Sequence, residues 1–340
     1  MDRKKLEALL AERKAPSYRL MQAYQAFSRE LCASWDDVTT WSKELRTEAA
    51  AAIPWDELAV ERILESAEKD AVKFLFSCAD GARIESVIMR HEGGRNTVCI
   101  SSQVGCPMKC AFCATGALGF TRNLTAEEIF DQVILAARWL KANKDAAVTN
   151  VVYMGMGEPM HNYDEVMRSI RLLNDPHGFA LGVRHISIST CGIVPGILKF
   201  ADEKLQVNLA ISLHSAVPET RSKLMPVNAP YPIEKLMGAV ETYVEKTNRK
   251  VLFEYLLIDG VNDTRAEAEA LASLMAKNRR LYQVNLIKYH DTHVFKATPI
   301  EKRECFSQWL HDRGIPVTIR RSFGEDILAA CGQLAAASGS

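Results

Sequence analysis

The stretch Cys106-Pro-Met-Lys-Cys110-Ala-Phe-Cys113 decides the reading of this chain, with Cys99 seven residues before it. The spacing is C-x3-C-x2-C, and the next cysteine, Cys191, lies far downstream. Three thiolates can hold three corners of a four-iron cluster and leave one iron open for a substrate or cofactor. A cluster that only carries electrons usually has four thiolates, so the missing ligand points to chemistry. The same spacing also suits a zinc site completed by a distant Cys or His. Spacing alone leaves both open.

The rest of the composition narrows the class. A chain of 340 residues exceeds one small module and can bury a large core. Its 42 basic and 42 acidic residues balance, so nucleic-acid binding would have to come from local patches. Apolar runs fall well short of the ~18 residues of a membrane span. Met1-Asp-Arg-Lys-Lys5 does not read as a signal peptide. The expectation is a soluble, cytoplasmic protein with no membrane partner. Nine cysteines in a chain this long suggest a reducing compartment and metal or redox chemistry rather than a disulfide scaffold.

Residues 1–70 read as helical. Leu6, Leu9 and Leu10 share a face, Tyr18–Ser28 repeats apolar residues at three and four, and a third helix is expected from Trp55 to Glu68 after Pro54. Two strand-like runs follow, Ala71–Cys78 and Arg83–Arg90, joined by the hairpin turn Ala79-Asp80-Gly81-Ala82. Glu85 lies inside the second run; taken by itself it reads as an outward-facing charge. Thr97–Ser101 then delivers the chain to the cysteine loop.

Beyond that loop strands and helices alternate, the mark of a parallel sheet with crossover helices. Strands are expected at Thr149–Met154, Arg184–Ser189, Gln206–Ser212, Lys250–Leu257 and Tyr282–Ile287, with Pro316–Arg320 as a last one. Thr125 with Glu128, and Thr264 with Glu267, read as capping boxes, and Thr298 as a further cap before Pro299. Six strand–helix units are too few for an eight-fold barrel, so the α/β fold is expected to be a partial barrel.

In such architectures functional groups gather at the carboxyl ends of the strands. There lie the cysteine loop, Gly155-Met-Gly157-Glu158-Pro159, Ser189-Thr190-Cys191-Gly192, Ser212-Leu213-His214-Ser215 and Lys288-Tyr289-His290. Gly155 and Gly157 let a backbone approach a ligand closely. Glu158 suits the ammonium of a zwitterion. Ser189 and Ser212 suit a ribose. Each is weak alone; their shared rim gives them weight.

Laid out this way, the chain resembles the radical S-adenosylmethionine enzymes, which use C-x3-C-x2-C, a partial (βα)6 TIM-like barrel and Gly-Glu-Pro after the second strand. More narrowly it is similar to the dual-specificity adenine-C2 methyltransferases of ribosomal and transfer RNA and their C8-methylating resistance relatives. The matching segments are Cys99–Cys106, Met154–Pro159, Ile211–His214, Arg221–Pro226 and Gly324–Leu334, within a similarity running from about Glu85 to Leu334.

The resemblance implies a [4Fe-4S] cluster on Cys106, Cys110 and Cys113, with S-adenosylmethionine used twice per turnover. Gly157, Glu158, Ser189, Ser212, Leu213, His214 and His290 match its binding positions. Cys331 would accept a methyl group, and a radical drawn from that group would add to the adenine ring. Cys99 would resolve the resulting protein–RNA adduct through a transient disulfide with Cys331, and Glu85 matches a proton acceptor. Such a route suits an electron-poor ring carbon with no acidic proton, and a base that must leave its stack.

The implied substrate is 23S ribosomal RNA, and transfer RNA as a second one, with a reducing electron donor and a monomeric enzyme. Arg122, Lys223, Arg279, Arg280, Arg320 and Arg321 are candidate phosphate contacts. The implied layout is a helical accessory domain at 1–70, a β-hairpin linker at 71–91, the radical SAM core at 92–324, and a C-terminal segment at 325–340 carrying Cys331. His290 departs from the family's usual Asn, and Cys191 stands where a non-thiol is more usual. Pro159 favours C2 over C8, because C8 enzymes often carry Gly-Glu-Ala there. The reading from a different class is a non-catalytic, zinc-stabilised RNA-binding protein.

Overall fold

A computed structural model of the chain describes residues 1–290, 292 and 294–335; the last five positions of the expected C-terminal segment, 336–340, lie outside the described residues. Helices α1 (Arg3–Glu12), α2 (Tyr18–Ser28) and α3 (Lys43–Ala52) make the amino-terminal block. Asp2 accepts the backbone N–H groups of Lys4 and Lys5, and Ser42 that of Leu45, so two of the helices start on side-chain caps. The block is cemented by indoles. Trp55 meets Phe27 and Trp35 edge-on at 5.4 and 4.8 Å, and the Trp35 and Trp55 N–H groups donate to the Ile53 and Cys32 carbonyls.

The helix expected over Trp55–Glu68 is not there. Leu58–Glu65 is strand β1, antiparallel to β2 (Ala71–Cys78). Its Leu, Ala, Glu and Arg residues favour helix, but the unpaired edge of β2 supplies a hydrogen-bond ladder, and that tertiary offer overrides a weak local preference. β1 is the exposed edge of the sheet; Glu61, Arg62 and Glu65 and a bulge after Val60 discourage pairing with another chain. The hairpin of β2 with β3 (Arg83–Arg90) forms as expected, and β4 (Asn96–Cys99) adds antiparallel to β3.

Beyond β4 lie β5 (Gln103–Gly105), α4 (Ala114–Ala117), β6 (Phe120–Asn123) and α5 (Ala126–Ala142). There follow β7 (Val148–Tyr153), α6 (Tyr163–Asn174), β8 (Ile186–Thr190), α7 (Val194–Ala201), β9 (Asn208–Ser212), α8 (Pro218–Leu224) and α9 (Ile233–Thr247). β10 (Val251–Leu257), α10 (Arg265–Met275), β11 (Tyr282–Lys288), α11 (Ile300–His311) and β12 (Val317–Ile319) complete the chain. The main sheet has ten strands in the order β1-β2-β3-β4-β7-β8-β9-β10-β11-β12. In this sheet every pairing from β4 to β12 is parallel, which makes six strand–helix units and a closing strand, the partial barrel expected; β5 and β6 pair antiparallel in a small sheet of their own.

The capping signals divide. Thr125 and Glu128 form the full box at α5. At α10 only half forms: Thr264 caps Glu267, but the Glu267 carboxylate turns inward to Ser215 and Tyr255. Thr298 does not cap α11; its hydroxyl donates to Asp263, and Pro299 takes the N-cap position. In both cases a buried polar group is the stronger claimant.

Candidate active site

Strand β4 ends at Cys99, and the next seven residues are fixed by backbone hydrogen bonds, among them those of Ser102 and Gln103 N–H to the Met156 carbonyl, and by a dense set of side-chain ones. Gln132 of α5 clamps Ser101, accepting its N–H at 2.8 Å and donating to its carbonyl at 2.9 Å. The Ser101 hydroxyl donates to the Glu85 carbonyl and accepts from Met156 N–H. Asn162 donates to the carbonyls of Ser102 and Leu124. Gln103 accepts the Glu158 N–H at 2.8 Å. Each polar residue of Ser101-Ser102-Gln103 therefore ties the cysteine loop to the loop after β7. Gly105 takes φ +74, and a Cβ there would lie 2.0 Å from the Gly119 carbonyl, which itself accepts the Cys106 N–H. Only glycine closes the base of the loop.

Cys106, Cys110 and Cys113 line one cavity with Gly157, Glu158, Ser189, Ser212 and His214. Burial pushes the Cys106 thiol up to about 12, and burial with the neighbouring cysteines raises Cys110 too. These thiols are arranged for a positive centre that would ionise them. Among the described residues, no three His, Cys, Asp or Glu side chains converge as a single ion requires. Thiolates on separate irons of a cluster need no such convergence.

Glu158 is buried, and its two oxygens accept the N–H groups of Met160 and Cys191 at 3.0 and 2.8 Å. Gly157, at φ +101, sits where a Cβ would strike Gln103 at 2.6 Å. The Ser189 and Ser212 hydroxyls are 3.3 Å apart. His214 adopts φ +58, and its Nδ1 accepts the Leu256 N–H at 3.0 Å, which leaves the Nε2–H as a donor. Burial holds its pKa down at about 3, so this imidazole is neutral. Leu213 is wholly buried and contributes backbone: its N–H donates to the Glu254 carbonyl.

The other candidates gather next door. Cys99 and Cys331 line a second cavity, walled by Met89, Met154 and Phe323. Cys113 and Cys331 line both cavities and so stand on the partition between them. Burial, then the charge of a Cys331 thiolate, pushes Cys99 up to about 12. His290 faces this second cavity and not the first, bonded to Ser322 at 3.0 Å with Glu325 3.8 Å away. Of the expected cofactor positions, His290 alone lines this second cavity, which adjoins the first. Burial lowers its pKa, partly offset by Glu325.

Glu85 is no outward-facing charge. It is buried, 3.2 Å from the Lys73 ammonium, and accepts the Ala335 N–H at 2.9 Å. It therefore tethers the segment that carries Cys331, as do Ala114 N–H on the Gly332 carbonyl and Ala67 N–H on Asp326.

The carboxyl-end rim holds two residues that sequence reasoning passed over. Arg221 of α8 is wholly buried, and its guanidinium donates to the carbonyls of Cys191, Ser212 and Leu213. It was visible only as part of the segment Arg221–Pro226. Glu254 sits inside β10 and lines the first cavity; an acid within an apolar strand was the available signal, the one noticed for Glu85. Arg320 belongs here too: the charges of Cys331, Glu254 and Cys99 raise its pKa. Of the other expected phosphate contacts, Arg122 is spent on Asp80 and Glu128, and Arg279 and Arg280 precede β11, on the opposite rim.

The model of the Radical SAM superfamily matches residues 100–272. A protein of Thermoanaerobacter sp. (strain X514) named "Probable dual-specificity RNA methyltransferase RlmN" is 45% identical over 320 residues, covering 93% of this chain and 91% of that one. One of the same name from Spiroplasma citri is 46% identical over 307 residues, 89% of this chain and 86% of its own. The chain belongs to the radical SAM superfamily, within the RlmN family. The crystal structure of a radical SAM methyltransferase from Sphaerobacter thermophilus superimposes with a TM-score of 0.94 at 44% identity, covering 99% of this chain and 98% of that one. Radical SAM membership brings a [4Fe-4S] cluster and S-adenosylmethionine as cofactors, and the first cavity suits them: three thiols, the Glu158 carboxylate and the serines Ser189 and Ser212 share its lining. The chain is an S-adenosylmethionine-dependent methyltransferase.

Proposed function

We propose that this enzyme methylates C2 of an adenine in 23S ribosomal RNA, and in transfer RNA as a second substrate, with Cys331 as the methyl carrier. The observation that carries the reading is the position of Cys331 on the partition between two cavities, with Cys99 lining the second beside it. A thiol placed there can reach the methyl donor on one side and the target base on the other.

In this reading Cys106, Cys110 and Cys113 hold the cluster. Gly157, Glu158, Ser189, Ser212, Leu213 and His214 hold S-adenosylmethionine, Glu158 taking the methionyl ammonium and the neutral His214 donating from Nε2. Cluster and cofactor, when bound, supply the methyl group and the electron-driven radical chemistry. The protein's part is to bring the Cys331 sulfur to both and to exclude water. Met89, Met154 and Phe323 offer apolar walls to an unstacked base. Cys99 takes Cys331 into a transient disulfide that frees the product, and Glu85 accepts the ring proton. His290, on this side of the partition, serves the base's surroundings rather than the cofactor.

The layout suggests an accessory amino-terminal unit, a strand extension, a barrel core and a C-terminal carrier segment. A reducing protein would feed the cluster, and a monomer suffices because both cavities are built from one chain. Among the described residues no helix is long and apolar enough to cross a membrane; the cytoplasmic location proposed follows from the proposed ribosomal and transfer RNA substrates.

Nucleoside mass spectrometry of RNA treated with the reconstituted enzyme tests the reading. The expected product is 2-methyladenosine; 8-methyladenosine as the sole product would overturn the position assigned. Cys331→Ala should keep its iron and sulfide yet transfer no methyl to RNA. Full methylation by that variant would remove Cys331 from the route.

A further inference from the structure

Glu254 carries a buried carboxylate oxygen with no hydrogen-bond partner among the described residues. Its other oxygen accepts the Asn285 Nδ2–H at 3.0 Å. The nearest cation to the free oxygen is Arg320, 3.9 Å away and beyond hydrogen-bond reach. Leaving such an atom dry and unpaired is costly, so its persistence calls for a ligand. The free oxygen belongs to a residue lining the cavity of the three cysteines, Ser189, Ser212 and His214.

Register says which part of a ligand reaches it. Glu254 of β10 is directly paired with Ser212 of β9 and with Asn285 of β11. Side chains in register on neighbouring strands point to the same face. Ser212, Glu254 and Asn285 thus form a polar row across the sheet, and Ser189, whose own register partner is Ala210, brings its hydroxyl to 3.3 Å from that of Ser212. Hydroxyls accept or donate, whereas an ionised carboxylate only accepts. The row therefore matches a ligand offering adjacent hydroxyl donors. An adenine edge, which alternates N–H donors with ring-nitrogen lone pairs, would set a lone pair against the carboxylate.

We propose that Glu254 is a cofactor-binding residue that accepts hydrogen bonds from the ribose hydroxyls of S-adenosylmethionine. This rests on the reading of the first cavity as the cofactor site.

The test is equilibrium binding of S-adenosylmethionine to the anaerobically reconstituted full chain, with iron and sulfide content checked in each variant. Glu254→Gln should keep the cluster and bind about ten- to a hundred-fold more weakly, the effect of losing a charged hydrogen bond. The 2′-deoxy and 3′-deoxy analogues should bind the wild type more weakly, and for at least one of them the Glu254→Gln penalty should vanish. Wild-type affinity in Glu254→Gln, or an equal penalty for both analogues and the parent, would overturn the proposal. If Glu254→Gln does not fold, the analogues on wild-type protein decide: undiminished binding of both refutes it. Failure of the wild-type holoprotein to bind S-adenosylmethionine at all would refute the cofactor reading itself, and this inference with it.

Discussion

His214 shows how one residue's surroundings set its chemistry. The folded state holds the imidazole neutral to about pH 3, whereas an unfolded chain takes up the proton near 6.5. Its contribution is therefore fully present above pH ~6.5 and drains away as pH falls toward the folded value, by about 1.4 kcal/mol per pH unit. Asn tolerates the left-handed backbone that His214 adopts. His214→Asn should lose about 1–1.5 kcal/mol less than wild type between pH 7.5 and 5.5 in urea unfolding. An unchanged pH slope would show that the ring takes up its proton as readily in the folded protein as in the unfolded chain. Residue identity alone marked His214 as a cofactor position through its motif, but its tautomer depends on the Leu256 N–H, a partner 42 positions away. Glu85 and His290 mark the same limit. Glu85 was read from its strand and His290 from its match to a family position, while Lys73, Ala335, Ser322 and Glu325 decide what they face.

At the scale of elements, the short helix α8 acts through Arg221. Burial pulls its guanidinium down to about 10, against the nearby thiols, yet its N–H groups satisfy carbonyls at the ends of both β8 and β9. These are the ends that present Cys191 and Ser212 to the cavity. Arg221→Met should cost about 3 kcal/mol or more, because it leaves three buried carbonyls without this donor, and Arg221→Lys should recover only a fraction, because a point-like ammonium cannot span three carbonyls. Thermal unfolding with cofactor binding checks this; a lysine variant indistinguishable from wild type would mean that the fork geometry is unnecessary. The strand–helix alternation was legible because each buried parallel strand is a compact apolar run and each crossover helix has its own start signal. β1 was not, because an edge strand with charged, mostly exposed side chains carries the composition of a helix. Nothing local in Leu58–Glu65 announces the neighbour that makes it a strand.

Across the whole molecule the site is assembled from distant parts of the chain: the loop after β4, the ends of β7 to β11, and the segment after β12. The motifs allowed those parts to be listed from sequence, but the division into two cavities, with Cys331 on their partition, is a property of the fold. Glu254 illustrates the remainder: its place in the polar row exists only through the register of β9, β10 and β11.

Strand β4, the root of the cysteine loop, is hydrogen-bonded on both sides, antiparallel to β3 and parallel to β7. It is an interior strand of a ten-stranded sheet, not a loose end. Metal loading is then a late event, separable from folding, unlike that of small domains which collapse only around their ion. Stripping the iron with a chelator should leave the far-ultraviolet circular dichroism unchanged. Protease sensitivity should appear between Cys106 and Gly119 and spare the strands. Global unfolding on chelation would show instead that the cluster is part of the scaffold. A scaffold that stands without its metal can lose a cluster to oxygen and be reloaded, so damage at the most fragile chemical centre need not condemn the chain.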